Sequence, residues 1–312
     1  MNGSVLADAR WGDIVNFANY AELLPLVRNS LIAGAMLGLL GGLIGVFVMA
    51  RDLPFAVHGI SELSFAGASG ALLLGVNVVL GSIVGSLIAA VILGLLGQRA
   101  RDRNSIIGVL MPFGLGLGIL FLALYKGRSA NKFGLLTGQI VSVDDTALTS
   151  LIVTGILVLA VLLLIWRPLM FASVDPDVAV ARGVPVAALS PLFMVLLGCA
   201  VALSIQIVGA LLVLTLLCTP AAAAMKVTAS PVLTPVLSVL FATCSVVGGI
   251  LIALGTSIPI SPYVTTISFA IYLACRIAGR SRSRRLGSRG RAAPLITPGR
   301  HLESEGADFA TS

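Results

Sequence analysis

Residues 24–50, LPLVRNSLIAGAMLGLLGGLIGVFVMA, carry one arginine near their start and then run from 31 to 50 without a charge. About twenty apolar residues in an α-helix are what the hydrocarbon core of a bilayer requires. The run is continuously apolar and does not alternate with period two, so it reads as a helix and not as a strand of an outer-membrane barrel. Comparable runs recur along the chain. Together with this one they give expected spans at 24–50, 54–75, 78–97, 104–125, 146–166, 186–204, 206–226, 232–254 and 258–279. The expected fold class is therefore an all-α polytopic membrane protein with about nine transmembrane helices. Gly, Pro and polar residues interrupt the pattern at 204–206 and 255–262. Such breaks at membrane depth are tolerated where the freed backbone faces protein or water, as in the broken helices of transporters.

Composition agrees with that reading. Of 312 residues, 58% are hydrophobic and 11% are charged, against roughly 25% charged in an average soluble domain. Too few charges are present to cover a soluble surface, which excludes a soluble enzyme, a disordered chain and a secreted disulfide scaffold. The four cysteines, Cys199, Cys218, Cys244 and Cys275, stand singly in apolar runs and read as small packing residues.

Three regions follow. Residues 1–23 lack the basic start and short apolar core of a cleaved leader and read as an extracytoplasmic lead-in. Residues 24–279 form the transmembrane domain. Residues 280–312 are basic and rich in Gly, Ser and Pro, and are expected to be a disordered cytoplasmic tail. Orientation comes from the basic residues, which accumulate on the cytoplasmic side. Placing Arg51 inside puts the 98–103 turn, the 167–185 loop, Lys226 and the tail inside as well, and these hold 15 of the 20 basic residues. The chain then starts outside and ends in the cytoplasm. The basic 126–145 segment falls outside and reads as a short interfacial helix. The net charge of +7 is mostly the tail, an anchor near anionic lipid. No nucleic-acid partner is expected.

Placing every acid isolates one. Twelve of the thirteen acidic residues fall in the lead-in, turns, loops or tail, and Glu62 alone lies within a span. His58, one of only two histidines, stands four residues before it, which puts both side chains on one helix face a turn apart. An ionisable group at membrane depth is costly and marks a functional position by default. Imidazole nitrogen with carboxylate oxygen is a workable half-site for a divalent ion such as zinc or manganese. A proton relay and a purely structural His–Glu pair are the competing readings of the same two residues.

A second pattern lies in FASVDPDVAVARGVPVAAL, residues 171–189. Asp175 and Pro176 have the chemistry of an N-cap followed by proline at the first helical position. Gly183 and Pro185 end the helix. A short capped helix bearing Val178, Ala179 and Val180 in a cytoplasmic loop suits docking to a partner, or serves as an interfacial connector. In residues 207–227 the small residues and Pro220 point to close packing and a kink. A P-loop is absent: the only lysines are Lys126, Lys132 and Lys226, and none follows a glycine.

These residues give the chain a resemblance to the permease subunits of the zinc/manganese class of ABC importers, over most of residues 24–279. Four places match in order: His58 to Gly67 in the second span, Phe133 to Ile140 (FGLLTGQI), Asp175 to Gly183, and Val208 to Ala222 (VGALLVLTLLCTPAA). The resemblance implies an all-helical bundle of the vitamin-B12 and metal importer type, two permeases around a central path, cytoplasmic ATP-binding subunits and an external metal-binding protein. It implies that His58 and Glu62 contact the transported Zn²⁺ or Mn²⁺, zinc ahead of manganese. It makes Asp175, Pro176, Asp177, Ala179 and Gly183 part of a coupling helix that docks on the ATPase, where ATP is bound and hydrolysed. No permanently bound cofactor and no enzymatic activity of its own are implied. The chain departs from the family in carrying His and Glu where the family has Asp and His, and residues 257–266 (SIPISPYVTT) lack an acid that the family often carries. The alternatives are a stand-alone proton-coupled metal transporter with Glu62 as the protonation site, a permease for a metal chelate, and a non-transporting membrane scaffold.

Overall fold

The computed structural model describes residues 23–96, 100–127, 134–135, 143–254 and 259–290. Among these there is no strand. After a single 3₁₀ turn at Leu24–Val27, the helices are α1 (Arg28–Ala50), α2 (Pro54–Leu74), α3 (Val78–Leu96), α4 (Ala100–Leu124), α5 (Asp145–Leu164), α6 (Trp166–Val174), α7 (Pro176–Ala181), α8 (Val186–Val208), α9 (Val213–Val227), α10 (Leu233–Ala253) and α11 (Ile260–Gly290). Eight of them, including the 3₁₀ turn in the first, are long and apolar enough to cross a membrane. The expected lead-in, most of the 126–145 segment and residues 291–312 lie outside the described residues.

One expected span differs in the structure. The span expected at 206–226 is not a full crossing. Its first residues belong to α8, which ends at Val208; the chain then breaks at Gly209, makes a 3₁₀ turn over Ala210–Leu212 and continues as the 15-residue α9. At 1.5 Å per residue such a helix covers only about 22 Å, short of the ~30 Å hydrocarbon core. The cause is local. Gly209 has φ +85° and ψ 157°, a region essentially closed to residues with a Cβ, so the helix cannot run through. At the other end of the chain, α11 runs on to Gly290, past the boundary at 279 expected for the transmembrane domain.

Helix ends follow ordinary chemistry. Pro54 starts α2, where a missing N–H costs nothing. Gly75 closes it in the left-handed region at φ +70°. Asp144 caps α5 by accepting from the Ala147 N–H at 3.0 Å, and Asn29 of α1 donates to Asp145 at 2.8 Å, tying the starts of two spans together.

The helices pack as two groups around α8. In the first, α2 lies between α3 and α4. In the second, α1, α9, α10 and α11 pack on one another. Within α3 the usual size pattern is inverted. Ser82, Gly85, Ser86, Ala89 and Ala90 are buried, while Leu80, Val84, Ile88, Val91 and Leu95 face outward. Lipid tails are as apolar as leucine, so packing comes from small residues that let backbones approach. A Cβ on Gly67 would strike the Gly81 carbonyl oxygen, and one on Gly85 would strike that of Leu63. The α2–α3 contact is therefore backbone on backbone. Similarly, Gly45 of α1 sits against the Leu217 carbonyl of α9.

We expect Gly85→Val to destabilise the protein by about 2–3 kcal/mol, the cost of overpacking a tight contact. Gly108→Ala, where the added Cβ meets nothing within 4 Å, should be neutral or stabilising by up to about 1 kcal/mol. Thermal unfolding in detergent, monitored by circular dichroism, reads both.

Candidate functional site

α2 is the most polar of the spans, and its polar groups are arranged by turn. Ser61, Glu62, Ser64 and Ser69 are all buried. The Ser64 hydroxyl lies 2.8 Å from that of Ser82 and donates to the Ser82 carbonyl at 2.9 Å, fixing α2 against α3. Ser82 in turn reaches the Ala202 carbonyl of α8 at 3.4 Å. Gly114 of α4 packs against the backbone of Glu62 and Leu63. The turn that carries Glu62 is thus held between α3 and α4.

On that turn, His58 Nε2 and Glu62 Oε1 are 3.7 Å apart. This is too long for a hydrogen bond, but close enough for a shared ion, since a divalent metal sits about 2.0–2.2 Å from each ligand of this type. The carboxylate side chain is 6% exposed and the imidazole 33%, so the acid is embedded and the histidine stands at the more open edge. Among the described residues no three His, Cys, Asp or Glu side chains cluster. One chain therefore offers two protein ligands at this place, and further ligands would have to come from elsewhere. About two turns beyond Glu62 on the same face, the Ser69 hydroxyl is buried and has no hydrogen-bond partner among the described residues.

The broken segment after α8 meets this same turn. Ser61 donates to the Ala210 carbonyl at 2.9 Å, and Ser261 of α11 donates to the Val208 carbonyl at 3.3 Å. Two carbonyls on either side of Gly209 are thereby paired by side chains from two other helices. The sequence marks the break only as a disturbance near 204–206 and gives no pairing. The signal that was present is Gly209 itself, with serines recurring in spans at otherwise apolar positions.

The second expected element is also present. The Asp175 carboxylate accepts from the Val178 N–H at 3.0 Å and caps α7, which begins at Pro176. Past its end, Gly183 sits at φ +80°. The Gly183 N–H donates to the Val180 carbonyl and the Val184 N–H to that of Ala179, the paired pattern of a Schellman ending. Ala179 is fully buried while Asp177, Val178 and Val180 are exposed. α7 is therefore a small capped helix with one buried methyl, at Ala179, and Asp177, Val178 and Val180 exposed. It is not part of the His58–Glu62 site.

A sequence profile of the ABC 3 transport family matches residues 24–279. The chain belongs to the ABC 3 transport family. It is 29% identical over 225 residues, covering 72% of this chain and 77% of the relative, to the manganese transport system membrane protein MntC of Halalkalibacterium halodurans. It is 24% identical over 252 residues, covering 80% of this chain and 97% of the relative, to the high-affinity zinc uptake system membrane protein ZnuB of Haemophilus influenzae. Among solved structures, PsaBC from Streptococcus pneumoniae in complex with Fab superposes with a TM-score of 0.76 at 27% identity, over 86% of this chain and 99% of that one. The shared fold is the all-helical bundle described above.

Replacing Gly209 by alanine should cost about 1–3 kcal/mol, because the new Cβ meets a backbone conformation reserved for glycine. Hydrogen exchange over residues 205–213 should quicken while the α2–α3 pair keeps its protection. Asp175→Ala should remove about 1 kcal/mol of capping from α7 and raise exchange over residues 176–181 about fivefold.

Proposed function

We propose that this protein is the membrane-embedded permease subunit of an ATP-driven importer of a divalent metal of the zinc–manganese kind. The observation that carries the proposal is the His58–Glu62 pair, the one carboxylate within the apolar spans together with an imidazole one turn away, in a chain of a transport family whose relatives are named for manganese and zinc. The expected preference for zinc is not carried forward, since both metals occur in those names. One nitrogen and one carboxylate oxygen suit either ion.

On this reading the ion is the cargo. Glu62 supplies charge where the surroundings are apolar, and His58, at the open edge, supplies a neutral nitrogen. Two ligands are too few for a closed coordination shell, which favours brief capture over storage. A second permease copy would bring a second pair, giving four ligands across a shared path. α7 docks on a cytoplasmic ATP-binding subunit through Asp177, Val178 and Val180, with Asp175, Pro176, Ala179 and Gly183 holding its shape. ATP is bound and hydrolysed there, since the chain has no P-loop lysine. An external metal-binding protein delivers the ion. The protein lies in the plasma membrane with its N-terminus outside and the basic C-terminal segment in the cytoplasm, as the distribution of arginine and lysine favours.

In vesicles containing the permease and its ATPase, Glu62→Gln and His58→Ala should each lower ATP-dependent uptake of radioactive zinc or manganese to the background set by ATP-free controls, with the complex intact by gel filtration. Undiminished uptake in both variants would refute the role. Val178→Asp with Val180→Asp should leave the fold unchanged and abolish co-purification of the ATPase.

A further inference from the structure

A cavity of about 330 Å³ lies where several helices end, beside the start of α2, and Glu62 is not among its lining residues. Its walls include Arg51, just after α1, and Arg103, in the first turn of α4, together with Ser190 and Phe193 of α8 and Val180 of α7. By the same measure one water needs only about 10–15 Å³, so the space suits a polyatomic group.

The two arginines are incompletely satisfied. Arg51 Nη2 donates to the Ser190 hydroxyl at 2.7 Å, and its guanidinium lies over the Phe193 ring at 5.6 Å. Among the described residues, Arg103 Nη2 reaches only the Asp52 carbonyl, at 3.4 Å, and its Nε is buried without a partner. Among the described residues no carboxylate forms an ion pair with either one. Each guanidinium carries five donors in a planar fork. Burial, and then the neighbouring charge of Arg103, push the Arg51 pKa down, as expected of two cations sharing a cavity without an anion.

We propose that Arg51 and Arg103 form a binding site for the phosphate group of an anionic phospholipid. Three features favour lipid over a carboxylate from a protein partner. The cavity sits at the ends of spans, with Arg51 directly after the one that closes at Ala50 and Arg103 opening the one that runs to Leu124, the depth at which headgroup phosphates lie. Its walls join two forked cations to apolar side chains such as Leu53 and Phe193, which match a phosphate with its glycerol backbone. Guanidinium pairs bind phosphate bidentately and strongly when partly buried, and basic pockets between helices at this level take anionic headgroups. Because Val180 of α7 lines one wall, a bound lipid braces α7 against α4 and α8. The site does not depend on the metal reading; only the assignment of this end to the inner leaflet rests on the proposed orientation.

The test uses the purified permease–ATPase complex, delipidated and then exchanged into nanodiscs of phosphatidylcholine with or without phosphatidylglycerol, with retained lipid counted by native mass spectrometry. The wild-type complex should retain phosphatidylglycerol over phosphatidylcholine by roughly tenfold, because both lipids carry the phosphate but the choline cation is repelled by the two arginines beside it. The variant carrying Arg51→Gln with Arg103→Gln should lose one such lipid per permease. Ala187→Phe, which narrows the cavity and leaves both arginines in place, should lose it as well and guards against misfolding of the double variant. Equal retention of the two lipids by the wild type would overturn the site. Unchanged preference in both variants would also do so. Full displacement by inorganic phosphate would overturn the lipid assignment, as would lost ATPase association with unchanged lipid retention, which would give the arginines to a partner carboxylate.

Discussion

A helix that stops inside an apolar bundle leaves carbonyls with no water to accept, and each unpaired group costs several kcal/mol. In this protein the stop is at Gly209, and the carbonyls beside it are taken by Ser61 and Ser261. Much else depends on that pairing. It joins the segment between α8 and α9 to α2 on one side and to α11 on the other, and so ties the two packing groups together. It also places the interruption one residue from Glu62, so the most polar turn and the least regular backbone share one neighbourhood. A broken helix beside a buried acid gives an ion a local supply of polar groups without opening the rest of the bundle.

The His58–Glu62 pair and the arginine cavity pose opposite electrostatic problems. Glu62 is a buried acid with an imidazole one turn away, and on the proposed reading a metal ion completes the pair. Arg51 and Arg103 are partly buried cations facing each other, and an anion completes them. Both sit on or beside α2, near its first two turns. The helix is thereby bounded by a polar site on its face and a charged cavity near its start, while α3 and α4 hold it through glycine and serine contacts.

The sequence made the class and most of the architecture legible because uncharged runs of about twenty residues admit few other readings in water or lipid. His58 and Glu62 were found by elimination, since acids are so scarce in the spans that one inside them stands out. Asp175, Pro176 and Gly183 announced α7 because caps and turns depend on particular residue types close in sequence. What the sequence could not give were pairings across long separations. Ser61 and Ala210 are 149 positions apart, and nothing local to either predicts the bond. The span expected at 206–226 failed for a related reason: hydropathy measures how apolar a stretch is and is blind to a single glycine whose dihedral angles end a helix. Arg51 and Arg103 looked like ordinary cytoplasmic charges, as their shared cavity exists only once α4 and α8 are packed.

The glycine contacts between α2 and α3 have a mechanical consequence. Where side chains interdigitate, small shifts are absorbed by rotamer changes and the partner need not move. At Gly67, Gly81 and Gly85 no such cushion exists, because main chain meets main chain. Any displacement of the turn bearing Glu62 is therefore handed to α3 undiminished. Through Ser82 and the close approach of Gly198 to Ser86, it passes on to α8, whose far end adjoins α7. These three helices behave as one stiff plate, and conformational freedom in the bundle is left to its edges.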